Sequence, residues 1–256
     1  YEGAPLINLT VLKWAEYFMA RMTDVIITIT KEDYKAAQRM KLRKDGQVFY
    51  VPGVGIDIDT IEDTKVDRRA KRSELGIREK DFVVIAVGRL ERNKNVENMI
   101  RATAETDDNV RLLLCGEGEQ RRYLEALAED LGIAHRVVFA GFRNDVPQLL
   151  KISDAYLLIS YREGLSRSLM EAMAAGLPCV VSDIRGNVDL IDHGLGGYLL
   201  SPNNVVEIAK AINSLVNDTQ LCERMGRINR EKVQSFSIEV VKTRMKEIYK
   251  LLLLEN

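Results

Sequence analysis

Histidine, cysteine and long apolar runs are scarce in this chain of 256 residues, and each scarcity excludes a class of protein. The two histidines, His135 and His193, cannot build a histidine-rich metal centre. The three cysteines are too few and too scattered for a disulfide framework or a zinc site, and Cys115 and Cys179 lie in apolar runs typical of reduced core thiols. No apolar run approaches the ~18 residues of a membrane-spanning helix, and no stretch reads as a signal peptide. We therefore expect a cytoplasmic protein.

Charge of one sign is not in excess, because 37 lysines and arginines face 38 aspartates and glutamates. A net charge of −1 argues against a protein that coats nucleic acid. Basic residues are concentrated at 39–44 and 65–72. Such stretches are typical of solvated helix faces, but they also suit an anionic surface such as a membrane leaflet or a charged acceptor. Peripheral association with the inner face of a membrane therefore stays open.

Short apolar runs alternate with helical patterns from about residue 79 onward. The runs at 82–87, 110–114, 136–140, 155–160, 179–182 and 198–200 predict strands. Helices are predicted at about 95–105, 119–131, 145–151, 166–175, 187–192, 204–216, 218–234 and 238–253. Strands that are apolar on both faces and separated by helices predict an α/β fold, a Rossmann-like parallel sheet with helices on both faces.

The residues before 57 carry a shorter version of the same alternation. Helical spacing at 7–22 precedes a β-branched run at 25–29, a helix opened by Thr30, and a second strand at 48–51. The stretch Pro52–Gly55 that follows is a candidate hinge. Because the chain begins with Tyr1 rather than methionine, we expect a fragment or a processed chain.

The loop after the strand at 82–87 has the composition of a phosphate site. Gly88 lets the chain turn, and Arg89 and Lys94 put two cations near the N-terminus of the next helix. A surface turn would use the same residues, so this loop alone decides nothing. The next loop, Gly116–Glu119, lacks the glycine spacing that binds dinucleotides and reads as a plain turn.

The stretch from Glu163 to Pro178 is the most informative in the chain. Ser166 or Ser168 can cap its helix, and Glu171 falls about one turn inside. The backbone N–H groups of this terminus suit an anion, whereas carboxylates beside an anion must point at neutral hydroxyls. This combination predicts a nucleotide-sugar site. The alternative is that Glu163 and Glu171 only stabilise the helix dipole.

These residues resemble glycosyltransferase family 4, retaining enzymes of the GT-B architecture. The resemblance rests on G-R-L-x3-K-N at 88–95, G-E-G at 116–118, G-F-R-N-D at 141–145, S-D-I-R-G-N at 182–187 and, above all, E-G-L-S-x-S-L-M-E-A-M-A-A-G-L-P at 163–178. The resemblance covers roughly 48–250, and its motifs are most similar to those of members that build bacterial polysaccharides. It implies that 1–57 are the remnant of an N-terminal acceptor domain with the hinge. Residues 58–256 would be the donor-binding domain, with the last helix returning toward the N-terminal part.

The resemblance also implies a role for individual residues. Arg89, Lys94 and Glu163 would be catalytic, the two cations holding the donor's diphosphate and Glu163 accepting from the transferred sugar. Glu171 would accept hydrogen bonds from the ribose. The remaining donor-binding positions would act mostly through main chain: Gly88 at the turn, Gly164, Leu165 and Ser166 at the sugar and distal phosphate, and Phe142 and Arg143 along the base. With no ligand bound, we expect Arg89 and Lys94 to face solvent.

The expected function is therefore transfer of a sugar from a nucleotide-sugar, in particular a UDP-sugar, to a sugar or lipid-linked acceptor in polysaccharide synthesis. No metal or other cofactor is expected. Two alternatives stay open: a non-catalytic nucleotide-sugar-binding module, and another GT-B enzyme such as a nucleotide-sugar epimerase. With most of an acceptor domain missing, the fragment alone should be inactive. The apolar stripe of the last helix, Ile238, Val241, Met245, Ile248 and Leu252, must pack on 7–22, bind a second copy, or stay exposed.

Overall fold

The computed structural model describes residues 6–254, with side chains from 11 to 253. The chain forms two compact units, one of Ile56–Ser237 and one that combines the residues up to Gly55 with those from Ile238 onward. The strands are β1 (Val25–Thr28), β2 (Gln47–Tyr50), β3 (Phe82–Val87), β4 (Val110–Cys115), β5 (Val137–Gly141), β6 (Ala155–Leu158), β7 (Cys179–Ser182) and β8 (Gly197–Leu200). The α-helices are α1 (Leu6–Ala20), α2 (Lys31–Ala37), α3 (Ile58–Glu62), α4 (Arg68–Glu74), α5 (Val96–Ala104), α6 (Arg121–Asp130), α7 (Val146–Ile152), α8 (Arg167–Ala174), α9 (Asn187–Leu190), α10 (Val205–Val216), α11 (Thr219–Val233) and α12 (Ile238–Leu254).

The Ile56–Ser237 unit is built on one parallel sheet of six strands. Their order is β5-β4-β3-β6-β7-β8, so the chain runs outward from β3 in one direction and then returns to lay down β6 on its other side. Such a reversal opens a crevice beyond the carboxyl ends of the two central strands, where doubly wound sheets bind ligands. The loops after β3 and β6 therefore flank the crevice.

The core of this unit lies on both faces of the sheet, which confirms the predicted α/β class. One face is covered by α5, α6 and α10, whose buried side chains join those of the strands in a single hydrophobic cluster. Helices α7 and α8 pack on strands of the sheet as well, and α4 and α11 pack on them in turn. The central strands are almost completely buried, because helices exclude water from both sides.

The unit of the two termini holds a parallel pair, β1 and β2, connected by α2. Helix α12 belongs to this unit, and its stripe packs there: Val241 and Ile248 are buried against Val51, with Phe49 alongside. Among the described side chains, Phe49 of β2 and Val51 after it cover part of the stripe, a partner that the sequence-based alternatives did not include. Helix α1 is different, since large apolar side chains such as Trp14 and Phe18 are mostly exposed.

The basic stretch 65–72 is not simply a solvated surface. It leads into α4, which the strand and helix pattern did not predict, and Arg72 is 2% exposed. Its guanidinium donates to the backbone carbonyls of Ile152 and Asp81 and pairs with the Asp154 carboxylate at 2.7 Å. A buried cation is tolerable only when its donors are satisfied in this way. Arg72 is therefore a structural clamp between α4, β3 and β6.

Candidate functional site

The loops that follow β3, β4 and β5 are fastened side by side at the carboxyl edge of the sheet. The amide of Gly88 donates to the carbonyl of Cys115, and the amide of Gly116 donates to that of Gly141. A Cβ atom added at Gly116 would overlap the carbonyl oxygen of Gly88, and one added at Gly118 would overlap the backbone of Leu90. The Gly116–Glu119 segment, which the sequence suggests to be a plain turn, needs its glycines to let two loop backbones touch.

The loops after β3 and β6 are fastened to each other across the crevice. The amide of Tyr161 donates to the carbonyl of Asn93, and the Asn93 side chain donates to the carbonyl of Arg162, both at 2.9 Å. Next to these contacts, Lys94 Nζ lies 2.6 Å from Glu163 Oε1. The reversal of strand order thus brings together two predicted site residues that are 69 positions apart.

The two predicted phosphate-binding cations differ in their surroundings. The Arg89 side chain is 80% exposed, and its nearest acidic partner, Glu91, lies 3.8 Å away. The Lys94 side chain is only 21% exposed and is held by Glu163, which is itself 10% exposed. The expectation that both cations face solvent is correct for Arg89 and wrong for Lys94, because the nearby carboxylate draws the ammonium group inward.

The N-terminus of α8 presents unused donors beside this pair. The backbone N–H groups of Gly164, Leu165 and Ser166 donate to no oxygen within residues 6–254. Gly164 borders open space, since an added Cβ would contact nothing within 4 Å. An anion is the natural partner for donors at a helix N-terminus.

Ser166 rather than Ser168 caps α8, and a chain of hydroxyls supports it. The Ser166 Oγ atom accepts from the amide of Leu169 at 3.4 Å and lies 3.3 Å from Ser168 Oγ. Ser168 Oγ in turn accepts from the hydroxyl of Tyr156 at 2.7 Å. Burial raises the pKa of Tyr156 well above its ordinary value, so the phenol stays protonated as a donor. Sequence reasoning missed Tyr156, which reads as an ordinary core residue of β6.

The loop after β7 supports the loop that follows β6. Ser182 Oγ donates to the carbonyl of Ser160 at 2.7 Å, and Asn187 Nδ2 donates to the carbonyl of Ser182 at 3.0 Å. Gly186 has a φ of +83° and fits directly against the carbonyl oxygen of Gly164, which an added Cβ would overlap. The loop that carries the S-D-I-R-G-N motif therefore sets the position of the backbone of Gly164 and its neighbours.

Glu171, the second predicted carboxylate, lies about one turn inside α8 and is paired with an arginine of the same helix. Arg167 Nε donates to its Oε1 at 2.9 Å, with 20% of the Glu171 side chain exposed. The i,i+4 spacing of Arg167 and Glu171 is a signal that sequence reasoning could have used. An arginine that is 68% exposed can orient the carboxylate without closing it off from a ligand.

The two residues after β5 that are predicted to lie along the base also differ in their surroundings. The Phe142 side chain is 76% exposed, whereas Arg143 is held by the carboxylates of Asp145 and Glu74 at 2.6 and 2.9 Å. Lys71 joins the same network. The Arg143 guanidinium holds the pKa of Asp145 well below its usual range, and the two carboxylates raise the pKa of Arg143. The Arg143 side chain is thus already engaged by protein groups.

Metal-binding clusters and membrane-spanning helices are both absent from the described part of the chain. Within residues 6–254, no three histidine, cysteine or acidic side chains are grouped so that they could hold a metal ion. Over the same residues, no helix has both the length and the apolar character needed to cross a bilayer.

A comparison with known families decides the assignment. The model of the family described as glycosyl transferases group 1 matches residues 67–232, which include every site residue described above. The chain belongs to this family. Its fold is of the GT-B type, as a solved relative shows: HepE from Anabaena, in complex with UDP and glucose, matches with a TM-score of 0.83 at 27% identity, covering 94% of this chain and 67% of HepE.

Curated relatives of the family match at similar distance. EpsD of Bacillus subtilis (strain 168), named as a glycosyltransferase, is 31% identical over 97% of this chain and 66% of its own length. A UDP-Gal:alpha-D-GlcNAc-diphosphoundecaprenol alpha-1,3-galactosyltransferase from Escherichia coli is 28% identical over 93% of this chain and 63% of its own length. The chain therefore spans about two thirds of these relatives.

Proposed function

We propose that this chain is the donor-binding part of a retaining, metal-independent glycosyltransferase of family 4 that uses a UDP-sugar. One observation carries the proposal. Lys94, Glu163 and the unused amides of Gly164, Leu165 and Ser166 converge at the point where the strand order reverses. Such a crevice is where this class of sheet binds nucleotides. The name of the HepE complex, with UDP and glucose, agrees with a donor of this kind.

The proposed mechanism rests on charge that is in place before the reaction. Departure of the nucleoside diphosphate leaves negative charge on the distal phosphate. Arg89, Lys94 and the N-terminus of α8 would stabilise that charge without a metal ion, and preorganised donors of this kind are worth several kcal/mol of barrier. Glu163 would accept hydrogen bonds from the transferred sugar rather than act as a nucleophile. The leaving phosphate would take the proton of the acceptor hydroxyl, giving substitution on the same face.

The nucleoside is the part of the donor for which Glu171 is proposed. Its carboxylate, oriented by Arg167, would accept from the ribose hydroxyls. Phe142 and Arg143 would follow the base through their main chain, because the Arg143 side chain is occupied by Asp145. Gly88 would give the diphosphate close access to the loop after β3.

The acceptor is proposed to be a sugar or a lipid-linked sugar of polysaccharide synthesis. The name of the galactosyltransferase relative specifies a diphosphoundecaprenol-linked acceptor, which is consistent with this class. The unit of residues 1–55 and α12 would belong to an acceptor domain. Work at a cytoplasmic membrane face, with 39–44 against anionic lipid, is part of the same proposal. Self-association through α12 stays a prediction. Because Val241 and Ile248 are buried within the chain, less of the apolar stripe is exposed to contact a second copy.

A paired measurement tests the proposal. Thermal shift with UDP-, GDP- and ADP-sugars should single out the UDP series, because a ligand at a hundred times its Kd adds about 2.7 kcal/mol to the free energy of unfolding. Turnover with a simple acceptor, measured on the same sample, should be absent, since positioning of the acceptor is worth about 7–11 kcal/mol of barrier. If none of the three sugar nucleotides raises the unfolding temperature, donor binding is refuted. Turnover at about 1 per second or faster would show that the acceptor site lies within these residues.

A further inference from the structure

The ion pair between Lys94 and Glu163 has a consequence for ligand choice, and this inference rests on the proposed function. A lysine that must bind phosphate is held at 2.6 Å by a carboxylate that is 10% exposed. Among the ion pairs of the described residues, no second acidic partner is found for Lys94. Any phosphate that recruits Lys94 must therefore share it with Glu163 or take it away.

The position of the pair is fixed on both sides. The hydrogen bonds between Asn93 and the backbone of 161–162 hold the two loops together immediately next to it. On the other side, Asn95 adopts a left-handed conformation with a φ of +51°, and its side chain donates to the carbonyl of Pro202. Neither loop can retreat easily, so Glu163 stays close to the diphosphate whether or not Lys94 remains its partner.

Free UDP and a UDP-sugar differ in what they offer Glu163. Free UDP carries a terminal phosphate whose second pKa is ~6, so it brings more negative charge at neutral pH than the sugar-bearing diester. It takes Lys94 and leaves a mostly buried carboxylate without a partner, which is costly. A UDP-sugar takes Lys94 as well, but its sugar brings hydroxyls that can donate to Glu163.

We propose that Glu163 sets a preference for the sugar nucleotide over the free nucleoside diphosphate by competing with the diphosphate for Lys94. Glu163 thereby weakens the binding of UDP, the product of transfer, and favours its release. The alternative is that the pair only fastens two loops. In that case its removal would loosen the site and weaken the binding of every ligand.

The test is calorimetric titration of UDP and UDP-glucose into the wild-type chain and Glu163→Gln, which keeps the shape and removes the charge. We expect UDP to bind about three- to tenfold more tightly to the variant, the equivalent of one net hydrogen bond. UDP-glucose should gain nothing, because its hydroxyls exchange a charged acceptor for a weaker neutral one. In a Lys94→Ala background the same substitution should tighten UDP less than it does in the wild type, because competition for Lys94 is gone and only the repulsion between Glu163 and the diphosphate is relieved. Glu91→Gln, which removes a carboxylate 3.8 Å from Arg89 without touching Lys94, is the matched control and should change the Kd of UDP less than twofold.

Each result has one reading. Unchanged or weaker UDP binding by a folded Glu163→Gln would overturn the inference, and so would an equal gain from Glu91→Gln. If Glu163→Gln does not fold, Glu163→Asp serves instead, because its shorter side chain cannot keep the contact with Lys94 and should also tighten UDP. If neither variant binds UDP more tightly than the wild type does, the inference is overturned. Failure of the wild type to bind either ligand would overturn the proposed function and this inference with it.

Discussion

Alanine at position 186 should weaken donor binding in addition to destabilising the fold. Gly186 has a φ of +83° and a ψ of −48°, outside the left-handed helical region, and an alanine held there costs about 1–3 kcal/mol of conformational free energy. Its Cβ would also overlap the carbonyl oxygen of Gly164 in a neighbouring loop. Relief of the overlap displaces the backbone of Gly164 relative to the loop after β7, and the amides of Leu165 and Ser166 move with it. A displacement of about 1 Å can cost a hundredfold in function, so we expect UDP affinity to fall at least tenfold.

The control is Gly194→Ala, which separates backbone strain from displacement. Gly194 has a φ of +78°, but an added Cβ there would meet nothing within 4 Å. Urea unfolding should show a loss of about 1–2 kcal/mol for this variant as well, whereas its Kd for UDP should match the wild type. Calorimetric titration at a temperature where both variants are folded gives the two affinities. Equal Kd values for Gly186→Ala and the wild type would refute the claim that the loop after β7 sets the position of Gly164.

Three further substitutions test separate parts of the site and the fold. Arg89→Ala should weaken UDP binding by about 1.5–3 kcal/mol, the contribution of a charge-assisted hydrogen bond. Its urea midpoint should not change, because the Arg89 side chain is 80% exposed. Wild-type affinity in a titration would show that Arg89 does not bind the diphosphate. Glu171→Gln should weaken UDP more than 2′-deoxy-UDP, and equal losses for the two ligands would leave Glu171 a structural role. Arg72→Met should lower the free energy of unfolding in urea by about 3 kcal/mol, because it removes the donor to the buried carbonyls of Ile152 and Asp81 and one of the two arginines that pair with Asp154. A loss below about 1 kcal/mol would contradict the clamp.

Local pattern was enough to predict most of the secondary structure. All six predicted strands of the larger sheet, from 82–87 to 198–200, are strands with shifts of one or two residues at their ends, and the predicted helices around them are present. The reason is that a buried parallel strand needs a short continuous apolar run, while a covering helix needs an apolar stripe of period 3.6. Helices α3 and α4 escaped this reading because they are short and mostly polar, so their sequences carry little periodicity.

Residue type and loop position were also enough to select the candidate site. Arg89, Lys94, Glu163 and the residues up to Ser166 follow β3 and β6, and the parallel topology brings all of these loops to one edge. The Ser166 cap follows from the same local rules, since its side chain meets an amide only three residues away. Local chemistry thus selects the candidate side chains, but it does not specify which of them contact one another.

The contacts among those loops were decided by the tertiary structure. Lys94 meets Glu163 because β3 and β6 are neighbours in the sheet, and nothing in either loop's composition specifies that pairing. The same holds for the contact of Gly186 with Gly164, of Tyr156 with Ser168 and of Glu74 with Arg143. Periodicity and propensity report the surroundings within one turn or one strand, whereas these contacts join segments that only the strand order brings together.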